Sequence, residues 1–154
     1  MSLALTPEER EAFLARPHTA VLTFSFPDGR SMAVPVWTTW TGDVFRFQSG
    51  PDSIKTASFR REGRASICLH EDTDQSVIYV TAEGPVDEVP FDLDRDIGEP
   101  AARYLGPERG AAFAAAFVDR PADSFAAFEL TPQTWWSRDY AKTPVADLLL
   151  NRSV

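Results

Sequence analysis

The sequence predicts a mainly β fold with helices, closed as a barrel or a sandwich. Three observations carry this. Runs of strand formers recur at hairpin spacing over residues 18–89. Turn residues such as Pro27-Asp28-Gly29 and Thr41-Gly42-Asp43 separate them. From Phe91 the pattern changes to an Ala-rich helical period, with Phe113 and Phe117 four residues apart.

The elements follow in order. Leu5–Arg16 reads as a helix: Thr6 is the N-cap, Pro7 fits the first helical position, and Glu9 completes a capping box. Leu5, Phe13 and Leu14 form its apolar face, and Pro17 ends it. His18–Phe26 alternates, with Leu22, Phe24 and Phe26 against Val21, Thr23 and Ser25. Ser31–Trp40 is a second strand in which Pro35 implies an edge, a bulge or a bend. Val44–Gln48 follows. Ser53–Glu62 is a short helix with Ser53 as N-cap and Gly63 as its stop. Arg64–His70 and Ser76–Val89 are strands, and Gly84-Pro85 marks a bend or bulge in the longer one. Phe91–Leu105 and Pro107–Val118 are helical, Ser124–Leu130 returns to a strand, and Thr134–Asp139 is the last one. A tail at residues 145–154, apolar at Leu148–Leu150, is expected to dock as a short helix or to bind a partner.

At 154 residues the chain is long enough for one domain with a real core, so residues 1–154 are read as one unit. Within it, 16–140 form the core, 91–119 a helical insertion and 145–154 a tail. No apolar run nears the ~20 residues of a membrane span. A short acidic N-terminus and a single cysteine make a cytoplasmic protein without disulfides the expectation. Cys68 is expected to be a small buried hydrophobe. The net charge of −8 argues against nucleic acid as a partner. The charge is uneven, however. Arg60, Arg61 and Arg64 follow Lys55 closely, a local basic rim suited to a small anion, or else a helix end whose arginines complement its dipole.

Several chemistries lack their residues. His18 and His70 are isolated and expected at the surface or at strand ends, so no metal site is predicted. No nucleophile elbow, Walker loop or dinucleotide fingerprint occurs. Asp87 and Glu88 are adjacent, hence on opposite faces of a strand. No catalytic side chain is assigned, and any chemistry is expected to reside on a borrowed cofactor. The clearest site is the loop from Ser49 into the helix after Ser53. Unpaired N–H groups at a helix start, two hydroxyls and the Lys55 ammonium converge there, a combination that binds a phosphate or another anion.

The order of these pieces is strand, PDG turn, strand with PVW, GD turn, F-x-F-x-S, S-x-K opening a helix, RASICL, then V-x-A-E-G-x-V. It resembles the split β-barrel flavin/deazaflavin oxidoreductases, the pyridoxamine 5′-phosphate oxidase-like FMN-binding superfamily. The resemblance covers 16–89 well and continues loosely to Trp135 and Trp136. It implies a six-stranded antiparallel split β-barrel with flanking helices, forming a homodimer with two cofactors at the subunit interface. By the same resemblance Ser49 and Ser53 would donate to the cofactor phosphate and Lys55 would pair with it. Pro35, Val36, Trp37 and Thr38 would run along the cofactor ring. Trp136 and Arg138 would cap the cofactor from the other subunit.

One departure selects a branch. FMN-dependent pyridoxamine phosphate oxidases carry an Arg and a Lys on the second strand; Val34–Trp40 has neither, and Ile54 stands where an Arg usually precedes the loop lysine. The PVW form resembles the branch using the 5-deazaflavin coenzyme F420, whose oligoglutamate tail Arg60, Arg61 and Arg64 would attract. The implied activity is hydride transfer between deazaflavin and a small unsaturated organic substrate. Tyr79 or Tyr140 is a candidate proton donor, and at most one of Trp37 and Trp40 faces the ring. The alternatives are an FMN-dependent flavin reductase of the same fold, a non-catalytic flavin- or haem-binding module, and a dimeric barrel with no ligand.

Overall fold

A computed structural model describes residues 2–74 and 76–143; the tail at 145–154 lies outside the described residues. The chain is mainly antiparallel β with flanking helices. Helix α1 (Pro7–Leu14) carries the full capping box, with Thr6 and Glu9 bonded reciprocally. The strands are β1 (Ala20–Ser25), β2 (Ser31–Val36), β3 (Thr39–Trp40) and β4 (Phe45–Ser49). Helix α2 (Ile54–Glu62) follows, then β5 (Arg64–Asp72) and β6 (Val77–Val89). A π-turn at Asp94–Gly98 leads into α3 (Glu99–Leu105) and α4 (Pro107–Ala115), and β7 (Ala126–Leu130) and β8 (Thr134–Asp139) complete the sheet.

The sheet has eight strands in the order β2-β1-β5-β6-β7-β4-β3, with β8 also on β6. The residue pattern gives seven strand segments, one more than the six the resemblance implies, and the eighth arises because 31–40 does not run as one strand: it breaks at Trp37 and Thr38. The C-terminal stretch lies antiparallel along the whole of β6. Val86 faces Leu130 on β7, and Glu83 faces Thr134 on β8. Three residues, 131–133, therefore oppose two, 84–85: a one-residue bulge at the predicted Gly84-Pro85 bend. Here β6 passes from one half of the barrel to the other. Thr131 N–H donates to the Pro85 carbonyl (3.0 Å) and Gln133 N–H to the Glu83 carbonyl (2.9 Å). The approach is so close that a Cβ on Gly84 would lie 1.9 Å from the Thr131 carbonyl oxygen. Only glycine fits the crossing.

The core forms where strand alternation points inward. Ala20, Leu22 and Phe24 of β1 are buried, as are Phe45 and Phe47 of β4, Ile67 and Leu69 of β5, and Phe128 and Leu130 of β7. Phe47, Phe59 and Phe128 meet one another with ring centroids 5.2–5.9 Å apart, within the favourable range for aromatic pairs. Helix α1 closes one end with Phe13 and Leu14. Two expectations are corrected. His18 is not at the surface: it is buried, stacked on Phe13 at 4.1 Å, with Nε2 2.9 Å from the Phe13 carbonyl. Cys68 is only partly buried, because on β5 it alternates with the buried Ile67 and Leu69. No described helix is long and apolar enough to cross a membrane. Among the described residues no group of three His, Cys, Asp or Glu side chains is placed to hold a metal ion.

Candidate functional site

A cleft of about 520 Å³ opens between the barrel and the helical segment, within the size range of small-molecule sites. Its barrel wall is made by Pro35, Val36 and Trp37 at the end of β2, and by Arg46, Phe47 and Gln48 of β4. Lys55 reaches it from the first turn of α2. The opposite wall comes from Arg95, Asp96 and Ile97 of the π-turn, Pro100 of α3, Phe113 of α4 and Phe117 just beyond it.

The backbone break at Trp37–Thr38 shapes the barrel wall. Tyr104 of α3 holds it: its hydroxyl donates to the His18 carbonyl (2.5 Å) and accepts from the Thr38 N–H (3.2 Å). Burial raises the Tyr104 pKa above its ordinary value, so the hydroxyl keeps the proton it donates. Thr38 turns inward and its hydroxyl donates to the Arg46 carbonyl (2.9 Å). Trp37 turns outward and stacks on Tyr104 with centroids 5.2 Å apart. Trp40 instead packs between Phe45 and Trp135, so one of the two tryptophans faces the cleft, and it is Trp37. Among the described residues strand β2 is outermost in the sheet, which leaves one edge of its backbone without a described ladder partner beside the cleft.

The cations of the cleft differ in how they are compensated. Arg46 donates from Nε to Glu129 (2.7 Å), its neighbour across β4 and β7. Arg95 clasps the buried Asp96 through Nε (2.9 Å) and Nη2 (2.7 Å), which raises the guanidinium pKa. Lys55 has no hydrogen bond or ion pair with any described residue. An ammonium without a partner among the described residues therefore sits on a cleft wall in a chain of net charge −8. Beside it, the N–H groups of Ile54 and Lys55 belong to the first helical turn and have no intrahelical acceptor.

Ser49 and Ser53 are brought together, Oγ to Oγ at 2.8 Å. Ser49 is buried, and Ser53 caps α2 by accepting the Thr56 N–H at 3.2 Å. Both hydroxyls thus knit the loop that presents Lys55. The Ile54 side chain is exposed. The three arginines are engaged away from the cleft lining. Arg60 makes a bidentate pair with Glu88 (2.6 and 2.7 Å), Arg61 bonds Glu62 and the Ser25 carbonyl, and Arg64 bonds Glu83 and Gln133. Their partners arrive mainly from β1 and β6, which the local sequence pattern does not reveal. Trp136 and Arg138 are exposed on one face of β8, opposite Thr81 and Tyr79. Of the predicted residues, Pro35, Val36, Trp37 and Lys55 line the cleft. Sequence reasoning missed Arg46, the Arg95–Asp96 pair, Phe113 and Phe117 as wall residues. Only Arg46 had a local signal, since strand alternation points it away from the buried Phe45 and Phe47.

The fold defines a split-barrel protein, and its cleft has the size of a small-molecule site. The pyridoxamine 5′-phosphate oxidase family profile matches residues 6–139, and the chain belongs to that family. Among solved structures, it is similar to the conserved hypothetical protein Rv2991 from Mycobacterium tuberculosis. Identity is 20%, the TM-score is 0.75, and the match covers 94% of this chain and 92% of the other. An F420 reductase is 22% identical at a TM-score of 0.68, over 85% of this chain and 98% of its own. The haem storage protein HutZ from Vibrio cholerae is 16% identical at a TM-score of 0.65, over 90% and 96%. No curated protein sequence matches the chain.

Proposed function

We propose that this protein is an oxidoreductase that holds coenzyme F420 in the cleft and presents it to a small unsaturated organic substrate. The observation that carries the reading is Lys55, a cation on the cleft wall with no partner among the described residues, beside the N–H groups of a helix start. That donor set fits a phosphate. The Pro35–Trp37 edge fits a flat ring with polar groups on its rim. When bound, such a cofactor supplies hydride chemistry.

The chain's own residues would then bind, orient and shield. Lys55 would hold the phosphate by a charge-assisted bond. Ser49 and Ser53 would fix the loop beneath it. Trp37, pinned through Tyr104, would set the depth of the ring, and the helical wall would exclude water. Alignment of this kind supplies up to ~7–11 kcal/mol of a barrier. F420 is favoured over FMN because Val34–Trp40 carries no cation; resemblance in fold to an F420 reductase is consistent with this. In a homodimer, Trp136 and Arg138 of a second copy would cap the site. Titration of the apoprotein with F420 and with FMN tests the assignment. Tighter F420 binding is expected; tighter FMN binding makes it a flavoprotein, and binding of neither removes the cofactor reading.

A further inference from the structure

The chain between α1 and β1 is a joint that three hydrogen bonds fasten to α3. Arg103 donates through Nη2 to the carbonyls of Leu14 (2.8 Å) and Arg16 (2.7 Å), and the Tyr104 hydroxyl donates to that of His18 (2.5 Å). The rest of the helical segment meets the barrel through an array of rings. Phe91 stacks on Phe125, Phe117 bridges Phe125 and Phe113, and Phe113 meets Trp37, which stacks on Tyr104. None of these six rings belongs to the barrel's core cluster.

The His18 side chain shapes the joint. Its ring is buried, lies flat on Phe13 (8° between planes) and places Nε2 2.9 Å from the Phe13 carbonyl at the end of α1. A carbonyl only accepts, so Nε2 carries the proton and Nδ1 is the bare nitrogen of a neutral ring. Nδ1 lies 3.8 Å from Oε2 of Glu71, which the Arg16 guanidinium already holds at 2.6 Å. The charged groups facing the ring are Arg16 of the joint, Glu71 of β5 and Arg103 of α3. Helix α1 contributes the Phe13 ring and carbonyl, and α3 adds the Tyr104 phenol at the His18 carbonyl. Two guanidiniums against one carboxylate leave a local excess of positive charge, and Nε of Arg103 is buried without a hydrogen-bond partner among the described residues. A proton on Nδ1 would put a third cation into this dry place. Burial already holds the His18 pKa below the ordinary 6.5.

We propose that His18 is a pH-sensitive pin for the helical segment: neutral, its ring holds the joint in the form that α3 grips; protonated, it leaves its seat on Phe13, and α3 and α4 part from the barrel without unfolding it. The inference is independent of what the cleft binds. Its sign follows from where the proton fits. The open form takes the proton up near pH 6.5 and the closed form only at lower pH, so falling pH favours opening, by at most about tenfold per pH unit.

The test is hydrogen exchange of the intact protein at pH 7 and pH 5, read by mass spectrometry as protection factors, which remove the chemical pH dependence of exchange. Protection of α3 and α4 is expected to fall about tenfold between the two and to lie at pH 5 well below that of β4 and β7. His18→Gln keeps a donor for the Phe13 carbonyl but does not titrate, and the fall is expected to shrink below about twofold. Glu71→Gln removes the carboxylate that would compensate the charged ring, and the fall is expected to grow to about twentyfold. The proposal is overturned if wild-type protection of α3 and α4 is the same at both pH values, or if His18→Gln retains the full fall. Equal protection of α3, α4, β4 and β7 at pH 5 also overturns it, since His18 then acts on global stability alone. So does loss of the fall in Glu71→Gln, since Glu71 is then the group that titrates. If His18→Gln is already open at pH 7, the Glu71→Gln result decides.

Discussion

The two walls of the cleft are built on different principles. The barrel wall belongs to a hydrogen-bonded sheet whose outward residues are fixed by inward ones: Arg46 and Gln48 face out because Phe45, Phe47 and Ser49 face in. The helical wall contributes no residue to the core cluster. Its buried positions are small or few, chiefly Ile97, Pro100, Ala101 and Gly110. It is fastened to the barrel side by polar contacts: Tyr104 to His18 and Thr38, and Arg103 to the carbonyls of Leu14 (2.8 Å) and Arg16 (2.7 Å). One wall is thus specified by burial and the other by a handful of fasteners and an aromatic array. A change to the barrel should threaten folding, whereas a change to the helical wall should alter what the cleft accepts.

The sharpest way to break this contrast is Gly84→Ala. The added Cβ would collide with Thr131 backbone at the barrel crossing, and a loss of about 4–5 kcal/mol of global stability is expected by urea unfolding. A loss below about 1 kcal/mol would show that the crossing yields and that the barrel is not the rigid partner. Lys55→Ala removes one charge-assisted bond and is expected to cost about 1.5–3 kcal/mol of F420 affinity with the melting temperature nearly unchanged. Equal affinity for both proteins would remove Lys55 from the site.

Gly110→Ala makes the matching substitution on the helical side. Its Cβ would lie 2.5 Å from the Cα of Ala102, forcing α3 and α4 apart. Better helix propensity returns about 1 kcal/mol, against an overpacking cost of about 1–3 kcal/mol. The net loss is expected to be at most about 2 kcal/mol, with altered fluorescence from Trp37. A large global loss would tie the helical wall to the core after all.

The smallest effect concerns His18. Burial lowers its pKa from the ordinary 6.5. In the unfolded chain it takes up a proton first as pH falls, so its contribution to stability is fully present above about pH 6.5 and declines as pH drops towards the folded pKa. His18→Phe is expected to flatten the fall in melting temperature between pH 7 and pH 5. An unchanged slope would assign that fall to other groups.

Local chemistry made part of this legible. The Thr6–Glu9 box, the Ser53 cap and the left-handed Gly63 stop all depend on neighbours in sequence, and all are present. The break at Trp37–Thr38 was not legible, because its cause is Tyr104, 66 residues away. Nor were the partners of Arg60 and Arg64, since Glu88 and Glu83 reach them from β6. At the candidate site, Lys55 was readable from the loop that opens a helix, and the Pro35–Trp37 edge only from the family resemblance. The facing wall was not, because an Ala-rich helix with two phenylalanines has the same appearance whether those rings enter a core or border a cavity.

The Tyr104 hydroxyl has a consequence for the engineering of this scaffold. A single phenol links a backbone kink in the barrel to the jaw that closes over it, so the depth of the cleft and the seating of its aromatic face are set together. Tuning selectivity would therefore start at α4, whose tip can be rewritten while that latch stays shut, and would leave residue 104 untouched.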